Sequence, residues 1–288
     1  MREITHVTTF DKVPVVGSLA IGGFDGLHIG HLHVINGGGC DSVLTFSGQR
    51  SRGLVMGRAE RLLVIKSATN IHTHIEIPFA DIRGLTPEEF LSLLKCAVNP
   101  HRLAVGQNFR FGRQAAGDIS LLKALCDDND IELYIAPYAM YSGRPVSSTR
   151  IRNTVAAGDM SAAAAMLGRP FFAMLPVDCG DRRGRNLGFR TINQILPPER
   201  ILPKFGVYGS RVTLNGTEYR AVTNVGVRPT FGEAMSNMET HILDFDGELY
   251  GETVLVELLE YYRGERRFPS PEALKIQIAE DVRRRMEQ

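Results

Sequence analysis

Several short runs of this sequence carry residue types that handle phosphate. The first is Gly22-Gly23-Phe24-Asp25-Gly26-Leu27-His28-Ile29-Gly30-His31. Its glycines let backbone N–H groups approach phosphate oxygens closely. His28 and His31 stand three apart, a spacing that puts both on one face of a helical turn. Two imidazoles there can donate to phosphates and stabilise the charge that builds on a displaced pyrophosphate. With His33 they admit a metal-site reading, but no carboxylate or cysteine completes it. A third reading is a Gly-rich turn with surface histidines.

Two further runs add to the first. Ser147-Ser148-Thr149-Arg150-Ile151-Arg152 sets three hydroxyls at a helix start and two arginines in its first turns. Hydroxyls, a positive helix end and guanidinium groups suit a triphosphate, although an ordinary capped helix has the same pattern. Val105-Gly106-Gln107-Asn108-Phe109-Arg110-Phe111-Gly112 reads as a strand end, a turn and an aromatic pair. By itself that pair reads as packing.

In the second half, Gly180, Gly184 and Gly188 with Arg182, Arg183 and Arg185 make a loop that is both pliable and positive. Thr191 and Asn193 follow it, neutral oxygen ligands suited to a Mg²⁺ ion that keeps most of its waters. A basic surface loop is the plain alternative. Glu239 stands in an alternating segment, where by itself it reads as an exposed strand carboxylate.

The elements that must carry these residues change character along the chain. Up to about residue 170, short apolar runs (15–21, 42–46, 71–77, 103–105, 131–135) alternate with helical patterns. Thr86-Pro87-Glu88-Glu89 forms a capping box at the start of one helix, and another helix starts near Ser148. Such alternation predicts a mostly parallel sheet covered by helices, a Rossmann-like α/β domain. From 171 onward, strands at 171–177, 206–214, 218–227, 239–245 and 252–259 predict an antiparallel barrel or sandwich, closed by a helix from Ser270. The expected domains are 1–168 and 169–288.

Bulk properties narrow the class. The chain has 288 residues, 43% hydrophobic and 23% charged, with a net charge of +1. That size accommodates two cores, and the charge gives no reason to expect nucleic acid or an anionic membrane as partner. No apolar run approaches the ~20 residues of a membrane helix. The first residues lack the apolar core of a signal peptide, and the four cysteines form no CxxC pair. A cytoplasmic, ATP-using enzyme acting on small molecules is expected, with its oligomeric state open.

Taken together, the runs resemble the bacterial bifunctional riboflavin kinase/FMN adenylyltransferases. The first loop is similar to the family's G-x-F-D-G-x-H-x-G-H pattern. In the second half, Phe205-Gly206-Val207-Tyr208, Asn224 to Phe231, Glu239 to Phe245 and Leu249-Tyr250-Gly251 look like the riboflavin kinase module in order. The resemblance implies a nucleotidyltransferase α/β domain followed by a six-stranded antiparallel β-barrel with a C-terminal helix. It implies that Gly22, Phe24, Asp25, Gly26, His28, Gly30, His31, Ser147, Ser148, Thr149 and Arg152 hold nucleotide. His28 and His31 would contact the phosphates, Asn108 would position them and Arg152 would neutralise leaving pyrophosphate. In the kinase half, Gly180, Gly184, Arg185 and Thr191 would hold ATP, Thr191 and Asn193 would hold Mg²⁺, and Glu239 would be the general base. Substrates and products would be riboflavin, FMN and FAD.

Three places depart from the family pattern. Only Leu32-His33-Val34-Ile35 separate His31 from Asn36-Gly37-Gly38-Gly39, where a longer helix is usual. Ser47-Gly48-Gln49-Arg50 replaces a Pro-His-Pro-like segment, and Arg190 stands where the family has proline. Two other readings therefore stand beside the bifunctional one: a riboflavin kinase with a degenerate N-terminal domain, and a non-catalytic flavin or nucleotide sensor.

Overall fold

The computed structural model describes residues 4–10, 13–14, 16–49, 51–178, 189–228 and 235–288. Its contacts form two compact units, Met1–Ser51 with Arg58–Ser148, and Arg52–Gly57 with Thr149–Gln288.

The first unit is built on a parallel sheet of β1 (Thr5–Val7), β2 (Ser18–Ile21), β3 (Ser42–Ser47), β4 (Thr73–Pro78), β5 (Arg102–Gly106) and β6 (Glu132–Ala136). Their order is β1-β4-β3-β2-β5-β6, and every pairing is parallel. β2 is central and buried at all four residues, as expected of a strand with covered faces. Helices α1 (Ile29–Gly37), α2 (Arg58–Ala68), α3 (Phe79–Ile82), α4 (Pro87–Ala97) and α5 (Ile119–Asp127) join the strands. Leu19, Leu44, Ile75, Leu94, Leu103 and Leu122 anchor one core cluster. Burying each such side chain is worth roughly 1.5–3 kcal/mol. The capping box forms as read: Glu89 N donates to Thr86 Oγ1 at 3.2 Å, and Thr86 N to Glu89 Oε2 at 2.8 Å. A small hairpin, β7 (Met140–Tyr141) with β8 (Arg144–Pro145), follows the sheet.

The Gly37-Gly38-Gly39 run does end α1, and it does more. A Cβ at Gly37 would lie 2.3 Å from Tyr134 Oη, and one at Gly38 would lie 2.6 Å from Ala104 Cβ. The glycines let the short helix sit directly on β5 and β6, so covering the sheet here depends on close approach rather than helix length.

Helices α6 (Ser148–Ala157) and α7 (Met160–Leu167) precede the barrel strands. The boundary expected at 168/169 falls inside the second unit, because α7 packs on β9 (Phe171–Pro176) and β14 (Thr253–Arg263). The other strands of this unit are β10 (Ile192–Ile195), β11 (Gly206–Leu214), β12 (Thr217–Arg228) and β13 (Met235–Ile242). All pair antiparallel in the order β10-β13-β12-β11-β14-β9, a nearly closed six-stranded barrel. The seam between β9 and β10 is drawn in by Gln194, whose buried Nε2 donates to Leu175 O at 2.7 Å and Val254 O at 2.8 Å. Asp178 N adds a bond to Asn193 O at 2.8 Å.

Inside the barrel, Tyr208, Val212, Val225, Met238 and Val256 are fully buried. Ser210, Thr223 and Thr240 are buried too, and satisfy one another through hydroxyl bonds of 2.7 and 2.9 Å. Helix α8 (Pro271–Met286), capped by Ser270, closes the unit. Asp281 on α8 grips Arg263 through both carboxylate oxygens at 2.7–3.1 Å.

Candidate active sites

In the first unit, the chain runs β2, β3, β4 to one side and then crosses to β5 and β6 on the other. The topological switch point is therefore between β2 and β5, where open α/β sheets bind ligands beyond the carboxyl ends of the strands. The Gly22–His31 loop leaves β2 there, and the Gln107–Gly112 segment leaves β5.

The loop is tightly made. Gly26 has φ +87°, and Phe24 and Leu27 also take left-handed backbone at +44° and +38°. Two non-glycine residues in that region are costly, and such cost collects where a site is shaped. His28 is buried and is the N-cap of α1, its Nδ1 accepting from His31 N at 3.3 Å. An accepting Nδ1 puts the proton of the neutral ring on Nε2, leaving that atom as the donor. The His28 and His31 rings stack, 3.6 Å between centroids and 15° between planes. Phe24 meets His31 edge-on at 5.3 Å. A Cβ at Gly30 would come within 3.1 Å of the His28 ring, so a side chain there would press on that ring. His33 is exposed, and among the described residues no three His, Cys, Asp or Glu side chains converge to hold a metal.

Ser148 joins this site, its Oγ donating to Asp25 O at 2.8 Å. Asn108 is exposed in the turn after β5, closed by Phe109 N to Gly106 O at 3.0 Å. Phe109 and Phe111 stack at 5.7 Å, and Phe111 belongs to the core, which matches a packing role for that pair. Thr149 and Arg152 lie in the second unit. There Arg152 Nε donates to Gly53 O at 2.6 Å and its Nη1 to Thr149 Oγ1 at 3.4 Å. Gln49 was not singled out by sequence, yet its Oε1 lies 3.0 Å from where a Cβ of Gly23 would stand. The chain just past the end of β3 thus reaches the Gly22–His31 loop through Gln49.

In the second unit, Glu239 is the centre of a cross-strand row. It lies opposite Asn193 of β10 and opposite Asn224 of β12. Directly opposed residues share a face of the sheet, so these three side chains lie together on the barrel's outer face. Glu239 is exposed, and Asn237 Nδ2 donates to its Oε1 at 3.2 Å. His241 follows Glu239 by two on β13, so strand alternation carries it along the same face, while Thr191 stands immediately before β10 and lines the neighbouring cleft. Hydroxyl, amide and carboxylate oxygens there form a donor set that fits a hard cation such as Mg²⁺.

Beside this row an open cleft is lined by Arg190, Thr191 and Ile192 together with Phe245 and Gly247 to Tyr250. Thr240 contributes from the opposite face of β13 to Glu239. Thr191 thus stands where the cleft meets the outer-face row. Gly180, Gly184 and Arg185 lie outside the described residues. Asn224 and His241 stand in runs that carry the resemblance but were given no role of their own, and Asn237 was not named; spacing by two from Glu239 would have marked His241 and Asn237 once the strand was placed.

Comparisons with known proteins fall on the same two halves. A family model described as riboflavin kinase matches residues 167–288, and one described as FAD synthetase matches residues 41–150. The second begins after the Gly22–His31 loop. The bifunctional riboflavin kinase/FMN adenylyltransferase of Bacillus subtilis is 30% identical over 97% of this chain and 95% of its own. That of Escherichia coli K12 is 31% identical over 98% and 96%. A crystal structure described as a macrolide-efflux protein from Streptococcus pneumoniae superposes with a TM-score of 0.87 at 27% identity, covering 97% of this chain and 98% of that one. Among the described residues, no helix is long and apolar enough to cross a membrane.

Proposed function

The chain belongs to the bifunctional riboflavin kinase/FMN adenylyltransferase family, and from that premise we propose which of its residues carry the two transfers. It phosphorylates riboflavin with ATP to FMN and ADP, and adenylylates FMN with a second ATP to FAD and pyrophosphate.

The kinase reaction is assigned to the second unit. Glu239 takes the proton of the ribityl hydroxyl as its oxygen attacks the γ-phosphorus, and ADP leaves. Asn237 steers the Glu239 carboxylate through their 3.2 Å bond. Asn193 and Thr191 would hold Mg²⁺, which when bound spreads the charge of the ATP phosphates. ATP lies in the cleft beside Thr191, and riboflavin approaches on the Glu239 face. The observation that carries this reading is the Asn193–Glu239 pairing across β10 and β13, with Thr191 lining the cleft just before β10.

Adenylyl transfer is assigned to the first unit. An FMN phosphate oxygen attacks the α-phosphorus of ATP and pyrophosphate leaves. FMN's phosphate is already ionised near neutral pH, so no base is required. The N–H groups of His28 and His31 donate to the phosphates, with Gly22, Phe24, Asp25, Gly26 and Gly30 shaping the loop, Asn108 aiding from β5, and Ser147 and Ser148 closing it. The partners are small molecules. With a net charge of +1 and free thiols at Cys40, Cys96 and Cys126, we place the protein in the cytoplasm without a nucleic-acid partner.

The test supplies riboflavin, ATP and Mg²⁺ and follows flavins by chromatography. FMN and then FAD are expected. Accumulation of FMN alone would favour a kinase with an inert N-terminal half, and absence of both products would overturn the assignment.

A further inference from the structure

Arg190 and its surroundings are not used by the reactions as described above. The residue stands one position before Thr191, on one wall of the cleft. Its carbonyl oxygen lies 2.7 Å from His241 Nδ1. A carbonyl only accepts, so His241 carries its proton on Nδ1 and donates. The His241 ring also meets Phe189, edge-on at 5.3 Å. At the far end, the Arg190 guanidinium pairs with the Asp246 carboxylate. Asp246 lies between Phe245 and Gly247, which both line the cleft. One residue is thereby fastened by its backbone to β13 and by its side chain across the cleft.

We propose that Arg190 and His241 are positioning residues for the kinase nucleotide. His241 fixes the peptide that carries Thr191, and Arg190 braces the two walls of the cleft at nucleotide width. This rests on the assignment of Thr191 and the cleft to ATP and its metal. The two contacts differ in weight. Arg190 and Asp246 are 53% and 87% exposed, so their ion pair is a minor contribution. The His241 bond is a short donor–acceptor contact to a backbone carbonyl, and it is the larger one. Neither residue touches a reacting atom, so both act on nucleotide affinity and leave the chemical step nearly unchanged.

The experiment measures riboflavin phosphorylation at saturating Mg²⁺, with thermal unfolding of each variant as the check on folding. His241→Ala is expected to raise KM for ATP roughly 5- to 10-fold with kcat within about 3-fold, the worth of one hydrogen bond. His241→Asn keeps an amide donor near the Nδ1 position and is expected to recover most of that loss. Arg190→Gln is expected to raise KM about 2-fold, and Arg190→Lys to restore it. The proposal is overturned if His241→Asn is as impaired as His241→Ala, since ring packing alone would then be responsible. It is equally overturned if KM for ATP is unmoved or if kcat alone falls. Thr191→Ala separates the premise from the inference. An unchanged Mg²⁺ requirement in that variant removes the metal assignment, whereas a KM response to His241→Ala bears on the brace alone.

Discussion

His28 caps α1 through Nδ1 while its ring lies on that of His31, with centroids 3.6 Å apart. One side chain thus starts the helix and supports the next donor. Replacing it removes both functions. His28→Ala is expected to cost about 1 kcal/mol of stability through the lost cap and to slow FAD formation roughly 100-fold or more. His31→Ala is expected to lose comparable activity with little loss of stability. Chemical denaturation and FAD assays on the two variants check the split.

Gly37 is tested by adding a methyl group. Its Cβ would stand 2.3 Å from Tyr134 Oη and 3.0 Å from Cζ. Gly37→Ala is expected to destabilise by about 1–3 kcal/mol. Tyr134→Phe removes the nearer atom, so the double variant should recover part of the loss. Simple additivity of the two changes in unfolding free energy would contradict the close contact.

Stability is expected to fall on mild acidification because of His74. This residue is fully buried, accepts or shares a proton with Thr45 Oγ1 at 2.8 Å, and contacts His6 Nδ1 at 3.1 Å. Burial, then the positive neighbours His6, Arg61 and Arg58, push its pKa from 6.5 down to about 3. With the folded value depressed, the unfolded chain binds more protons between those two values. The contribution is fully present above pH 6.5 and shrinks as pH falls towards 3, amounting to about 2 kcal/mol lost between pH 7 and 5. Urea titrations at the two pH values should show this, and a His74→Asn variant should show a flatter profile.

Much of this could be read from the residues, and the exceptions have physical causes. The Thr86–Glu89 box, the left-handed Gly168 that ends α7 and the alternating barrel strands are local signals, set by caps and side-chain period. β10 was hidden because its four residues follow a long Gly- and Arg-rich stretch, and its pairing with β13 is a long-range contact no local pattern encodes. The division at Ser148/Thr149 rests on where α7 packs, which is equally non-local. At the sites, the histidine spacing and Glu239 were legible as chemistry. The Ser148 bond to Asp25 and the donation of His241 to Arg190 were not, since each joins segments far apart in sequence.

Thiol reactivity offers a check on the first unit's core. Burial pushes Cys40 up to about 12 and Cys126 up to about 11, with Asp41 and Asp127 adding to the effect. Thiolates are the reactive species. At pH 8 both residues are expected to resist alkylation in the native protein and to react fully in denaturant, while exposed Cys96 labels natively. Peptide mapping after timed labelling resolves the sites, and rapid native labelling of Cys126 would contradict the packing under α5.

The most direct measurement follows the fate of labelled phosphate in two variants. Protein is given riboflavin with γ-labelled ATP, and separately FMN with α-labelled ATP. Glu239→Gln is expected to slow transfer of γ-label into FMN by about 100- to 10,000-fold, while still carrying α-label into FAD at the wild-type rate. His31→Ala is expected to do the reverse. Transfer of γ-label by Glu239→Gln at the wild-type rate, or of α-label by His31→Ala, would contradict the assignment of the two reactions to these two sites.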